Sequence, residues 1–265
     1  MGRPKVVIAE PIADGGIDYL STSCDVVDAV GRSRDELLAL IEDASAIIVR
    51  SATQVDKEMI EAAPSLAVVG RAGIGVDNID LNTATEHGVM VVNAPNANTI
   101  SAAEHTMALL LAQARRVPEA DKSLRDGRWD RKKFKGVELH GKTLGVLGLG
   151  KIGTLVAQRA SSFGMRIVAY DPYVSPDRAK RLGIEMLSLK DIFEVADMLT
   201  VHLPRTAQTE NLINATTIEQ MKDGVRIVNV ARGGIVNEAD LADAVRSGKV
   251  AGAAVDVFDT EPTTT

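Results

Sequence analysis

The chain has 265 residues, 45% of them hydrophobic and 25% charged, with a formal net charge of −6 at pH 7. That is the composition of an ordinary globular protein, long enough for one large or two ordinary domains. The acidic balance and the 3% aromatic content argue against a nucleic-acid binder that works through bulk charge or base stacking. A lone cysteine, Cys24, excludes an intrachain disulfide and fits a reducing compartment. No apolar stretch near Met1 has the length of a signal peptide or membrane span, so a cytoplasmic enzyme is expected.

From Lys5 to Asn93 short apolar runs (6–9, 25–27, 46–49, 67–69 and 90–92) alternate with helical patterns. Ser33-Arg34-Asp35-Glu36 has the form of a capping box and leads into Leu37, Leu38, Leu40 and Ile41. Asp56 opens a further helix, and another is expected from about Asp80 to His87, ending at Gly88. Parallel neighbours need crossover connections, so this alternation predicts an α/β lobe with a doubly wound parallel sheet of flavodoxin-like kind, residues 1–97. Arg50 and Ser51 follow the third strand, and Arg71, Gly73 and Ile74 follow the fourth. Ligands of open α/β sheets sit at the carboxyl ends of strands. Two arginines there, among small residues, suit a small anionic molecule.

The segment 95–100 has neither period and marks a boundary. Ser101-Ala102-Ala103-Glu104 reads as a second capping box, starting an Ala/Leu-rich helix to about Arg115 that is apolar on several sides and therefore expected to be buried. Pro118 opens another helix, and the basic stretch 128–135 reads as a solvated face. The second lobe, residues 98–265, is expected to be a Rossmann-type parallel sheet of at least five strands.

Its first strand, 143–147, runs into Gly148-Leu149-Gly150-Lys151-Ile152-Gly153, then a helix, a second strand and Asp171. Strand, G-x-G-x-x-G, helix, strand, acid is the dinucleotide-binding order. Gly148 serves the tight turn, Gly150 lets the backbone approach a pyrophosphate, and Gly153 lets helix and strand pack closely. Asp171 follows Gly153 by 18 residues, near the expected spacing of about 20 for a carboxylate that binds the adenosine ribose. A carboxylate accepts a free 2′-hydroxyl and repels a 2′-phosphate, so NAD is expected rather than NADP.

Three later strands end in His202-Leu203-Pro204, in Val230-Ala231-Arg232-Gly233-Gly234 and in Asp256-Val257-Phe258-Asp259-Thr260-Glu261-Pro262. With the glycine turn, these motifs resemble the D-isomer-specific 2-hydroxyacid dehydrogenases over essentially the whole chain. The resemblance implies that Arg232 holds a substrate carboxylate and polarises the C2 oxygen, and that Glu261 orients a catalytic histidine. It also places Arg50, Ser51, Arg71, Gly73 and Ile74 on the substrate. It places Gly148, Gly150, Lys151, Ile152, Gly153, Asp171, Leu203, Pro204, Val230, Ala231, Arg232 and Asp256 on NAD. Within the family the motifs around Arg50, Arg71 and Asn98 to Glu104 imply 3-phosphoglycerate as substrate, in phosphorylated serine synthesis. A homodimer or higher oligomer formed through the NAD-binding lobe is implied as well, with no nucleic-acid, membrane or metal partner.

In the family a further strand delivers the histidine of a P-H-L-G motif and the chain returns to complete the first lobe. Here Glu261-Pro262 is followed by Thr263-Thr264-Thr265. The resemblance therefore reads the chain as a truncated form, lacking the catalytic histidine, the last strand of its second lobe and the return to its first, with impaired turnover. Two alternatives accompany that reading: a non-catalytic NAD-binding or interaction protein, and a dehydrogenase of another D-2-hydroxy acid.

Overall fold

A computed structural model describes residues 2–263; Met1, Thr264 and Thr265, the last two at the expected point of truncation, lie outside the described residues. The chain divides into two compact units, Met1–Asn98 and Thr99–Thr265.

The first unit runs β1 (Lys5–Ile8), α1 (Asp14–Ser21), β2 (Asp25–Asp28), α2 (Arg34–Ile41), β3 (Ala46–Val49), α3 (Lys57–Glu61), β4 (Val68–Arg71), α4 (Leu81–Glu86), β5 (Met90–Asn93). Its strands are parallel in the order β2-β1-β3-β4-β5, the flavodoxin order. The helix starts follow local chemistry. Ser33 and Glu36 close a reciprocal capping box on α2, Asp56 accepts the Met59 N–H at the start of α3, and Asp80 accepts two N–H groups at the start of α4. Val7, Ile47, Val49 and Val69 of the inner strands are buried with Ile41, Met59 and Ile60 of the helices.

The second unit begins with α5 (Thr99–Arg115) and α6 (Val117–Arg125), then a 3₁₀ turn (Arg131–Phe134). It continues with β6 (Thr143–Leu147), α7 (Lys151–Ser162), β7 (Arg166–Tyr170), α8 (Pro176–Arg181), β8 (Glu185–Met186), α9 (Leu189–Val195) and β9 (Met198–Val201). It ends with α10 (Ala215–Glu219), β10 (Val225–Asn229), α11 (Glu238–Ser247) and β11 (Val250–Val255). The sheet order is β11-β10-β9-β6-β7-β8, which read from the other edge is the Rossmann order. Every residue of β6 is buried, with apolar clusters on both faces of the sheet: Leu144 and Val146 pack with α5 and α7, while Leu147 packs with Ile192, Leu199 and Ile213.

Two expectations are corrected. The helix α5 starts at Thr99, so Ser101 lies in its first turn rather than at its cap; the turn at 95–98 already sets the chain into the helix. Nor is α5 buried all round. Ala103, Thr106, Met107, Leu110 and Ala114 form one buried face, while Ile100 is 61% exposed. Among the described residues no helix is long and apolar enough to cross a membrane.

Candidate NAD and substrate sites

In the Rossmann order the strand succession reverses between β6 and β9, and a ligand crevice is expected outside their carboxyl ends. Gly148 follows β6 with φ +96°, in the left-handed region that favours glycine. A Cβ there would lie 2.5 Å from the carbonyl oxygen of His202, just past β9, so the two loops meet at the reversal. Gly153 is constrained by packing: its Cβ would stand 2.0 Å from the Gly148 carbonyl oxygen. Gly150 differs from both, with open space where a Cβ would point. It is also the N-cap of α7, and no side chain caps that helix, whereas side-chain oxygens cap α9 and α11. An anion approaching Gly150 meets the positive end of a 12-residue helix.

At the end of β7 the two oxygens of Asp171 are aimed by backbone groups. Oδ2 accepts the Leu149 N–H at 2.8 Å, tying the carboxylate to the glycine turn, and Oδ1 accepts the Tyr173 N–H at 2.8 Å. Lys151 and Ile152 form the first turn of α7, the lysine exposed and the isoleucine half-buried. Leu203 is buried beyond β9 and Pro204 is exposed beside it.

Val230, Ala231 and Arg232 leave β10 on a turn stapled by Asn229. That side chain, 1% exposed, donates to the Arg232 carbonyl at 2.9 Å and accepts the Ala231 N–H at 3.1 Å. The half-buried Arg232 sends one guanidinium N–H to its neighbour's carbonyl, Ala231 O, at 2.7 Å. The next residue, Gly233, packs on the loop after β11, where a Cβ would lie 1.8 Å from the Phe258 carbonyl oxygen. In that loop Glu261 Oε1 accepts the Phe258 N–H at 2.8 Å. The structure thus brings the Arg232 turn and the Glu261 turn into backbone contact. Arg205, held by Glu210 at 2.8 Å and Asp259 at 2.9 Å, braces the same rim. Asp256 lies at the end of β11 and pairs with His105 of α5, Nε2 to Oδ1 3.2 Å.

Each of the other three histidines has its own local partner. His202 bonds Thr200 Oγ1 through Nε2 at 2.9 Å, and burial pushes its pKa down to about 4, so the ring is neutral near pH 7. His87 bonds the Thr83 carbonyl at the end of α4. His140 covers Gly164, beyond the carboxyl end of α7 and away from the glycine turn.

Arg50, Ser51, Arg71, Gly73 and Ile74 lie at the carboxyl edge of the first unit's sheet. Arg71 Nε donates to the Arg50 carbonyl at 3.0 Å, and its guanidinium lies against Gly73, where a Cβ would come within 2.0 Å of Nη1. Asn93, at the end of β5, donates to the Ile74 carbonyl at 2.6 Å. The buried Asn78 donates to the carbonyls of Arg50 at 3.0 Å and Thr53 at 2.6 Å. Asn78, Asn93 and Asn229 carry no signal in the sequence beyond being polar side chains at or near the end of an apolar strand or in a glycine-rich loop.

The profile described as "D-isomer specific 2-hydroxyacid dehydrogenase, NAD binding domain" matches residues 107–265. The chain belongs to the D-isomer-specific 2-hydroxyacid dehydrogenases, and its second unit is their NAD-binding domain. Among curated proteins it is similar to a D-3-phosphoglycerate dehydrogenase of Archaeoglobus fulgidus, 51% identical over 97% of this chain and 49% of that protein. The chain thus spans about half the length of the curated relatives it matches. Among solved structures it is similar to a glyoxylate reductase from Paecilomyes thermophila, with 30% identity, TM-score 0.91, and 99% and 84% of the two chains covered. A D-lactate dehydrogenase from Aquifex aeolicus, solved with NAD and lactic acid, has 28% identity and TM-score 0.86, over 97% of this chain and 78% of that one. The open face at Gly150, the uncapped start of α7 and the aimed carboxylate of Asp171 fit that cofactor.

Proposed function

We propose that this chain carries the NAD and substrate sites of an enzyme that oxidises 3-phosphoglycerate to 3-phosphohydroxypyruvate. The observation that carries the proposal is the backbone contact between the Arg232 and Glu261 turns, one strand beyond the loop that meets the glycine turn. The 51% identity to a D-3-phosphoglycerate dehydrogenase supports 3-phosphoglycerate as the substrate. NAD, when bound, supplies the hydride acceptor. Gly148, Gly150, Lys151, Ile152 and Gly153 hold its pyrophosphate, Asp171 its adenosine ribose, and Leu203, Pro204, Val230, Ala231 and Asp256 line the remainder.

The Arg232 guanidinium binds the substrate carboxylate in forked fashion and withdraws charge from the C2 oxygen. Arg50 and Arg71, with Ser51 and the backbone at Gly73 and Ile74, receive the anionic ends, for which two guanidinium groups suit a phosphate. Glu261 orients the group that moves the proton. None of the chain's histidines is assigned that proton: His202 is neutral, His105 is engaged with Asp256, His87 is bonded to the Thr83 carbonyl and His140 covers Gly164. Turnover by this chain is accordingly depressed, by about 10² to 10⁴ for a missing general acid/base.

The second unit exposes Ile100, Val117, Leu124 and Trp129, which supports a homo-oligomer formed through it. A cytoplasmic setting is part of the same proposal. A glyoxylate reductase and a D-lactate dehydrogenase among the structural neighbours favour another 2-hydroxy acid as the second reading.

NADH oxidation with phosphohydroxypyruvate, recorded beside the binding of each in one sample, tests the proposal. Saturable binding of both with slow turnover is expected. NADH binding without any affinity for phosphohydroxypyruvate, but with affinity for glyoxylate or pyruvate, would replace it with the second reading.

A further inference from the structure

In the flavodoxin order the strand succession reverses between β1 and β3, and this is where a ligand crevice is expected in the first unit. A side chain of the protein reaches into this position. Glu10, two residues beyond β1, sends its carboxylate into the loop after β3. There Oε1 accepts the N–H of Arg50 at 2.8 Å and of Thr53 at 2.9 Å, and Oε2 accepts the N–H of Ala52 at 3.1 Å. Burial alone would raise the Glu10 pKa, but the hydrogen bonds from Thr53, Arg50 and Ala52 outweigh it and hold the carboxyl below its ordinary value. Glu10 is therefore an ionised acceptor throughout the neutral range.

We propose that Glu10 is the positioning residue of the anion-binding edge, shaping the Arg50–Thr53 loop so that Arg50 and Arg71 present their guanidinium groups to substrate. The inference rests on the reading above that these arginines receive it. The amides of Arg50 and Ala52 flank the peptide whose carbonyl belongs to Arg50. With both amides turned to Glu10, that carbonyl accepts Arg71 Nε at 3.0 Å and Asn78 Nδ2 at 3.0 Å. One carboxylate thus fixes the peptide that fixes the second arginine. It also consumes three loop N–H dipoles, so recognition of an anion passes to the guanidinium groups.

The test compares the full chain with E10Q and E10D, titrating 3-phosphoglycerate in saturating NAD and NAD alone, by calorimetry. Hydrogen bonds to charged groups predict that E10Q loses about tenfold or more in 3-phosphoglycerate affinity with NAD affinity unchanged. E10D, charged but one methylene shorter, falls between. A merely structural role lowers the melting temperature and leaves the affinity of the folded variant alone, which overturns the proposal. So does tighter binding by E10Q, the outcome if Glu10 acts only by repelling the anion. Should E10Q fail to fold, E10D and amide exchange of the wild-type chain decide, because open-loop exchange rates at Arg50, Ala52 and Thr53 contradict the proposal. Wild-type protein that binds NAD but not 3-phosphoglycerate defeats the functional reading itself, whereas wild-type binding matched by the variants defeats Glu10 alone.

Discussion

The reversal points of the two sheets are built in opposite ways. Between β6 and β9 the chain uses glycines, leaving backbone dipoles at the start of α7 facing open space at Gly150. Between β1 and β3 the equivalent position is closed by the Glu10 carboxylate, which takes the N–H groups of the facing loop. Similar strand orders therefore do not imply similar ligands. The first point suits a phosphate held by main chain, and the second suits an anion held by side-chain charge, at Arg50 beside the reversal and Arg71 one strand further on.

The glycine end of this contrast breaks with the largest effect. In G150V the new Cβ meets no atom within 4 Å and the φ of −71° accepts any residue, so the melting temperature is expected to hold. NAD affinity should fall about a hundredfold, the loss of roughly two charge-assisted hydrogen bonds. G153A should do the reverse first, costing about 1–3 kcal/mol of stability because its Cβ would strike the Gly148 carbonyl. Chemical denaturation beside fluorescence titration with NADH separates the two.

At Arg232 the change is smaller. R232K keeps the charge but loses the fork, and 3-phosphoglycerate affinity should drop roughly thirtyfold, more than NAD affinity does. Removing the Asp171 carboxylate in D171A should weaken NAD about tenfold and narrow the preference for NAD over NADP, since the repulsion of a 2′-phosphate goes with it. Parallel titrations with the two nucleotides measure it.

The smallest effect concerns His202. Its folded pKa of about 4 lies below the ordinary value of 6.5, so between these pH values the unfolded chain binds more protons. Stability from this source is present above pH 6.5 and is lost as pH falls toward 4, by roughly 1 kcal/mol once residual solvent at the ring is allowed for. H202N should flatten that part of a denaturation-against-pH curve.

Much of the architecture was legible because strong local signals agreed with the tertiary fold. The capping box at Ser33 and Glu36 and the helix start at Asp56 occur where the sequence places them. The two-residue β8 is not legible in the sequence, because a strand of Glu185 and Met186 has no apolar run to announce it. Ser101 misled because cap-forming residue types also sit inside helices, and only the preceding turn decides where α5 starts. The glycine turn could be read by spacing. Glu10, 40 residues from Arg50, could not, since its role comes from β1 and β3 being neighbours rather than from any local pattern.

The central claim is that backbone dipoles at the β6–β9 reversal hold the cofactor. Titrating isotope-labelled protein with NAD, while following the amides of Gly148, Gly150, Lys151, Ile152 and Gly153, tests it most directly. The account predicts saturable shifts at these amides with a single dissociation constant, accompanied by Asp171 and reduced in G150V. NAD binding that moves amides elsewhere and leaves the glycine turn unperturbed would contradict it.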